Sequence, residues 1–194
     1  MSTALIILAE GFEEIEAISV IDILRRGKVE VVVAGLEDIM VEGAHKILVQ
    51  ADVILEEIRD KEFDVLILPG GEPGTTHLQQ DPLVIEMIEA QAQRDAWIAA
   101  ICAAPRILDQ LGLLKKRFAT SFPGTKPMMQ TCKYLEDLVV VDGMFITSRG
   151  AGTAMAFGYM ILELLTSSTA SNELKEKMVY QAEVPVQAHS QLDL

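Results

Sequence analysis

Residues 4–8 (ALIIL) are apolar without a break, and beyond the polar interruption EGFEE the rhythm changes. An unbroken apolar run of this length reads as a strand covered on both faces. From Glu14 onward apolar residues return at three- and four-residue spacing, placing Ile15, Ile18, Ile21 and Leu24 along one side of a predicted helix. Arg25 and Arg26 in its last turn, followed by Gly27, suit the negative end of the helix dipole and a left-handed cap. Val29 to Ala34 then forms a second apolar strand. Ile39 to Val53 alternates less cleanly and contains Gly43, which predicts a hairpin or small excursion beside the main sheet.

The same alternation continues. Asp64 to Leu68 (DVLIL) is closed by Pro69-Gly70-Gly71, a buried strand running into a loop, and a helix is expected from Pro82 to Arg94. Trp97 to Ile101 is a further buried strand, Pro105 to Leu111 a short helix ending at Gly112, and Phe118 to Ser121 another strand. Asp142-Gly143 between Val139–Val141 and Met144–Thr147 signals a two-residue hairpin. Helices over Thr153–Leu165 and Asn172–Gln181 complete the pattern, and residues 182–194 are expected to be a flexible tail. Strands alternating with helices imply one α/β domain over residues 1–181, with a mostly parallel sheet whose ligands bind beyond the carboxyl ends of the strands.

Composition narrows the function. Of 194 residues, 50% are hydrophobic, enough to build a core, and the formal net charge of −13 repels phosphate backbones and anionic lipid. Neither nucleic-acid nor membrane binding is therefore expected. No stretch approaches a bilayer span and the N-terminus lacks a basic leader, which predicts a cytoplasmic protein. Two cysteines, Cys102 and Cys132, with no metal-ligand spacing to His45, His77 and His189, argue against a disulfide framework or a structural zinc site.

The chemistry concentrates at AAICAAPRIL. Cys102 follows a buried strand, has Ala99, Ala100, Ala103 and Ala104 around it, and precedes Pro105 at the first helical turn. A sharp strand-to-helix turn needs such small neighbours and presents its side chain at the top of the sheet. Free amides at a helix start favour thiolate and predict a lowered cysteine pKa. The Ala103 amide and the Gly70-Gly71 loop are candidate oxyanion donors. The alternative is that Cys102 is a small buried hydrophobe. Glu10, Glu13, Glu14 and Glu16 crowd the first helix start; most are expected on a solvated face, and one of them can reach the cysteine, but the pattern does not choose among the four. SRGAGT, residues 148–153, is a glycine-rich turn in which Arg149 is expected to position loops.

Taken together, LAEGFEEIEA, DVLILPGG, AAICAAP and SRGAGT, in this order, resemble the ThiJ/PfpI superfamily, and within it the branch of the human parkinsonism-associated protein and its bacterial relatives. The resemblance implies a flavodoxin-like three-layer sandwich and a homodimer. It implies Cys102 as the reactive cysteine, Glu16 as its protonated carboxyl partner, and Gly71 and Ala103 as amide donors. Asp22, Arg26 and Arg149 are implied to frame the pocket or the dimer seam. Where the protease branch has a histidine after the cysteine this chain has Ala103, which demotes peptidase activity. Phe122 stands where the human-type proteins carry a histidine, and His45 where they carry an arginine. The implied function is cofactor-free conversion of a small aldehyde or dicarbonyl, glyoxalase III-like or deglycase-like. The alternative is a redox sensor or stress chaperone in which Cys102 becomes a sulfinate.

Overall fold

Along β1 (Thr3–Leu8), Ala4, Ile6 and Leu8 enter one hydrophobic core while Leu5 and Ile7 enter a second, because successive residues of a strand point to opposite faces. The computed structural model describes residues 1–181, and the expected tail lies outside them. The first core is closed by α1 (Glu14–Arg26) and α5 (Ala154–Leu165), and the second by α3 (Pro82–Gln93) and α4 (Pro105–Gln110). Between them lies a seven-stranded sheet that also contains β2 (Glu30–Gly35), β5 (Val53–Ile54), β6 (Val65–Leu68), β7 (Trp97–Ile101), β10 (Val139–Asp142) and β11 (Phe145–Ser148). The order is β10-β11-β7-β6-β1-β2-β5, parallel except for β10. This is an α/β three-layer sandwich of flavodoxin-like architecture.

The expected hairpin is present as β3 (Met40–Glu42) and β4 (Leu48–Gln50), antiparallel and outside the main sheet, with β5 returning to its edge. Other expectations are corrected. The buried side of α1 carries Glu14, Glu16, Ala17, Val20, Ile21, Ile23 and Leu24, whereas Ile15 and Ile18 are 55% and 42% exposed. The left-handed residue after α1 is Lys28, at φ 63°, rather than Gly27, at φ −76°. Gly27 serves packing, since a Cβ there would lie 2.2 Å from Leu162 Cδ1.

A short helix, α2 (Gly74–Gln80), follows the Pro69-Gly70-Gly71 loop unannounced by any apolar period. The strand expected at residues 118–121 is only Phe118–Ala119 (β8), and it pairs with β9 (Lys133–Tyr134) away from the main sheet. The last described helix, α6, runs from Ser168 to Lys177, earlier than expected, because Ser167 caps it by accepting the Ala170 amide. It stops where Val179 takes φ 54°.

Candidate active site

Strands β6 and β7 are parallel neighbours with Leu68 opposite Ala100, so the two residues beyond each, Gly70 and Cys102, emerge together at the carboxyl edge. Strand β1 lies on the other side of β6, and its exit loop brings the start of α1, with Glu16, to the same edge. Three strand ends thus converge on one sulfur.

Cys102 takes φ 62°, a left-handed conformation that costs a non-glycine residue about 1–2 kcal/mol. Its amide donates to the Ser148 carbonyl at 3.0 Å and its carbonyl accepts from the Phe122 amide at 2.8 Å, so flanking loops hold the turn on both sides. Gly70 makes the close approach possible, because a Cβ there would lie 2.5 Å from the Cys102 Cβ and 2.7 Å from Glu16 Oε2. Cys102 as a residue is only partly buried, which separates it from an inert core cysteine.

Glu16 is 1% exposed. Its Oε2 accepts the Gly70 amide at 2.8 Å. The other oxygen, Oε1, has no hydrogen-bond partner among the described residues, and the Cys102 thiol lies against the carboxyl. Burial pushes the carboxyl up to about 7, against the thiol and the Gly70 amide, which both favour the charged form. The Cys102 thiol is also pushed up, to about 12, first by burial, then by the charge of Glu16 and the hydrogen bond to it. The amides of Ala103 and Gly71 pull the other way.

The expectation of a simply lowered cysteine pKa is therefore corrected. Helix α4 has only six residues, and the amide effect is real but smaller than burial beside a carboxylate. Gly70, expected with Gly71 in a loop of candidate oxyanion donors, instead gives its amide to the carboxyl.

The supporting residues disperse. Arg26 Nε pairs with Asp22 Oδ2 at 2.7 Å on the surface of α1, both about half exposed and more than a turn beyond Glu16. Arg149 sends its guanidinium to the Glu136 carbonyl at 2.9 Å, tying down a loop as expected. His45 is held at Glu14: its amide donates to Oε1 at 2.7 Å and Nδ1 to Oε2 at 2.8 Å. Glu14 is thus a buried clamp on the hairpin rather than a solvated acid. Glu13, Glu14 and His45 offer three ligand atoms within 4.8 Å of one another, the one grouping among the described residues able to hold a metal ion. Cys132 is partly buried beside Asp109, whose charge adds to burial in raising its thiol to about 11.

Two features escape the sequence patterns. Arg106, four residues beyond Cys102, pairs with Glu72 and donates to Thr76 Oγ1 and Gln79 Oε1 at 3.0 Å each, binding α4 to α2 and to the loop that precedes it. Gly150 faces the site: a Cβ there would lie 3.9 Å from Cys102 Sγ, 3.9 Å from Glu16 Oε1 and 3.7 Å from Phe122 Cδ2.

Fold and site together define an α/β protein with a cysteine and a buried carboxyl paired at adjoining strand ends. The sequence profile of the DJ-1/PfpI family matches residues 2–164, and the chain belongs to that family. It is 37% identical over 174 residues to the Caenorhabditis elegans glutathione-independent glyoxalase DJR-1.2, covering 89% of this chain and 93% of that one. Arabidopsis thaliana protein DJ-1 homolog A is 40% identical over 161 residues, 82% of this chain; the chain spans about two fifths (41%) of that relative's length. The crystal structure of Drosophila melanogaster DJ-1beta superposes with a TM-score of 0.89 at 37% identity, covering 94% of this chain and 100% of that one. No described helix is long and apolar enough to cross a membrane.

Proposed function

We propose that this protein converts small reactive dicarbonyls to hydroxy acids without glutathione, as a stress-protective enzyme of the cytoplasm. The observation that carries this reading is the pairing of Cys102 with Glu16, a buried carboxyl held near neutrality. Two interacting acids titrate as a unit. Above about pH 7 the pair has released one proton and retains the other, chiefly on the sulfur, and transfer of that proton to Glu16 gives the reactive tautomer, a thiolate facing the Ala103 and Gly71 amides.

The thiolate attacks the aldehyde carbon, a C–S bond forms, and the oxygen takes the proton from Glu16 to give a hemithioacetal. The Glu16 carboxylate then removes the proton on that carbon and returns it to the neighbouring carbonyl carbon through an enediol, leaving a thioester. Water cleaves the C–S bond, its hydroxyl joining the acyl carbon and its proton returning to the Glu16 carboxylate, and the hydroxy acid and the thiolate are released. The aldehyde carbon is oxidised and its neighbour reduced by the same two electrons, so no external oxidant is required. Release of the same aldehydes from amine or thiol adducts begins with the same attack. The name of the Caenorhabditis elegans relative supports this reaction class.

Turnover by purified protein in glutathione-free, chelator-treated solution tests the reading. Cys102→Ser and Glu16→Gln are each expected to lose at least about a hundredfold in kcat/KM. Full activity of the serine variant contradicts it. A second reading is favoured by the partnerless Glu16 Oε1 close to the partly buried Cys102. Two oxygen transfers from peroxide would give a sulfinate that a protonated Glu16 can bond. Negligible dicarbonyl turnover together with selective dioxidation of Cys102 would establish that alternative.

We further propose that the protein acts as a homodimer. Support comes from Ile15 and Ile18, exposed on α1, and from Ile47 and Leu48, exposed at the hairpin that Glu14 holds against the start of α1.

A further inference from the structure

Phe122 is half exposed at 48%, yet its backbone amide and carbonyl are both hydrogen-bonded. Its amide donates to the Cys102 carbonyl, and its own carbonyl accepts from the Thr125 amide at 2.9 Å and from the hydroxyls of Thr125 at 2.8 Å and Ser121 at 3.2 Å. Its ψ of 136° lies in the extended range favoured before a proline, here Pro123. The backbone is thus anchored beside Cys102, and in the structure the side chain leaves it in one direction.

That direction is the mouth of the site. The ring lies between two glycines: a Cβ at Gly124 would fall 3.0 Å from Cε1 and 3.2 Å from Cδ1, and one at Gly150 would fall 3.7 Å from Cδ2. The point 3.7 Å from the ring edge is also 3.9 Å from Cys102 Sγ and 3.9 Å from Glu16 Oε1. Ring, sulfur and carboxyl oxygen therefore surround the same small volume, which is open because position 150 has no side chain. A carbon bound to Cys102 and deprotonated by Glu16 must occupy that neighbourhood, and its substituent then meets an apolar aromatic wall. Phe122 offers this substituent no hydrogen bond.

Resting on the dicarbonyl reading above, we propose that Phe122 is a specificity-determining residue, selecting α-oxoaldehydes with an apolar alkyl or aryl substituent over unsubstituted or hydroxylated ones. The ring gains contact with an apolar group and offers a hydroxyl no partner in place of the water it displaces, and a single apolar contact is worth roughly tenfold or more in kcat/KM. An aryl group adds the offset or edge-on ring contact that aromatic pairs prefer.

Two ratios test this in the native protein, Phe122→Ala, Phe122→Leu and Phe122→His. The first is kcat/KM for phenylglyoxal over glyoxal. The second needs no turnover: the rate of Cys102 alkylation by N-benzyliodoacetamide over iodoacetamide, by mass spectrometry, relative to the same ratio with N-acetylcysteine. Both ratios are expected to be about tenfold or more in the native protein, to fall at least fivefold in the alanine and histidine variants, and to fall less in the leucine variant. Turnover of both aldehydes with both ratios unchanged by Phe122→Ala overturns the proposal while leaving the enzyme reading intact. If no dicarbonyl is converted but the alkylation ratio still falls, the enzyme reading fails and the apolar selection at the sulfur stands. If the alkylation ratio is also flat, both fail.

Discussion

A carboxyl that is 1% exposed and accepts one backbone amide is a liability when ionised, and Glu16 shows the consequence in a raised pKa. The ordinary value of 4.5 describes the unfolded chain and about 7 the folded one, so between these values the folded state binds the extra proton. Stability from this group is complete below about pH 4.5 and is lost as pH rises toward 7, by about 3 kcal/mol in all. Glu16→Gln cannot ionise and removes that slope. Urea unfolding at pH 4 and pH 8 should therefore show the variant gaining about 3 kcal/mol on the wild type. A gap that stays constant with pH would mean that the carboxyl titrates normally. Cys102 and the small residues around it were legible in the sequence because a tight turn leaves a compositional trace. The choice of Glu16 among four acids was not, since it depends on the angle at which α1 meets the sheet; only the family resemblance indicated it. The balance between burial and amide dipoles at the sulfur depends on three strand ends meeting, which no local pattern encodes.

Short elements need anchors. A six-residue helix such as α4 has almost no intrinsic stability, and what fixes it lies outside it. Asp109, 2% exposed, accepts the amides of Gln130 at 2.8 Å, Thr131 at 3.1 Å and Cys132 at 3.0 Å, and the Thr131 hydroxyl at 2.7 Å. Asp109→Ala strips a partly buried loop of its acceptor and is expected to cost about 3 kcal/mol. Because burial and then the Asp109 carboxylate raise the Cys132 thiol, the same change should lower that thiol's pKa and speed its labelling by iodoacetamide. Equal labelling rates in the two proteins would show that Asp109 does not govern this segment. Nothing near Asp109 in the sequence marks this role, as its partners lie 21 to 23 residues away. Helix α2 and strands β8 and β9 were obscure for a related reason: seven residues or fewer cannot display a period, and their partners are distant. The long apolar strands and α5 were plain because burial on both faces, or nearly all round, writes itself into consecutive residues.

At the scale of the whole chain, the misread face of α1 becomes informative. The apolar period was correct for Ile21 and Leu24, which are buried, but Ile15 and Ile18 extend it onto the outside, where a monomer gains nothing from them. A second copy burying both isoleucines with Ile47 and Leu48 would resolve the discrepancy, at the cost of bringing two chains of net charge −13 together. Hydrophobic burial is insensitive to modest salt whereas charge repulsion is screened by it, so the dimer should tighten as ionic strength rises. Light scattering is expected to give twice the 21.3 kDa of one chain, and Ile18→Glu, which adds a charge at the proposed seam, is expected to return one. Helix α1 carries Glu16 on its buried side and Ile18 on its exposed side, so the proposed seam would brace the element that presents the carboxyl to the sulfur. The monomeric variant should therefore also react more slowly with iodoacetamide at Cys102 while keeping its circular dichroism. A wild type that is monomeric at all salt concentrations contradicts the dimer, and a monomeric Ile18→Glu with unchanged Cys102 reactivity separates assembly from the site.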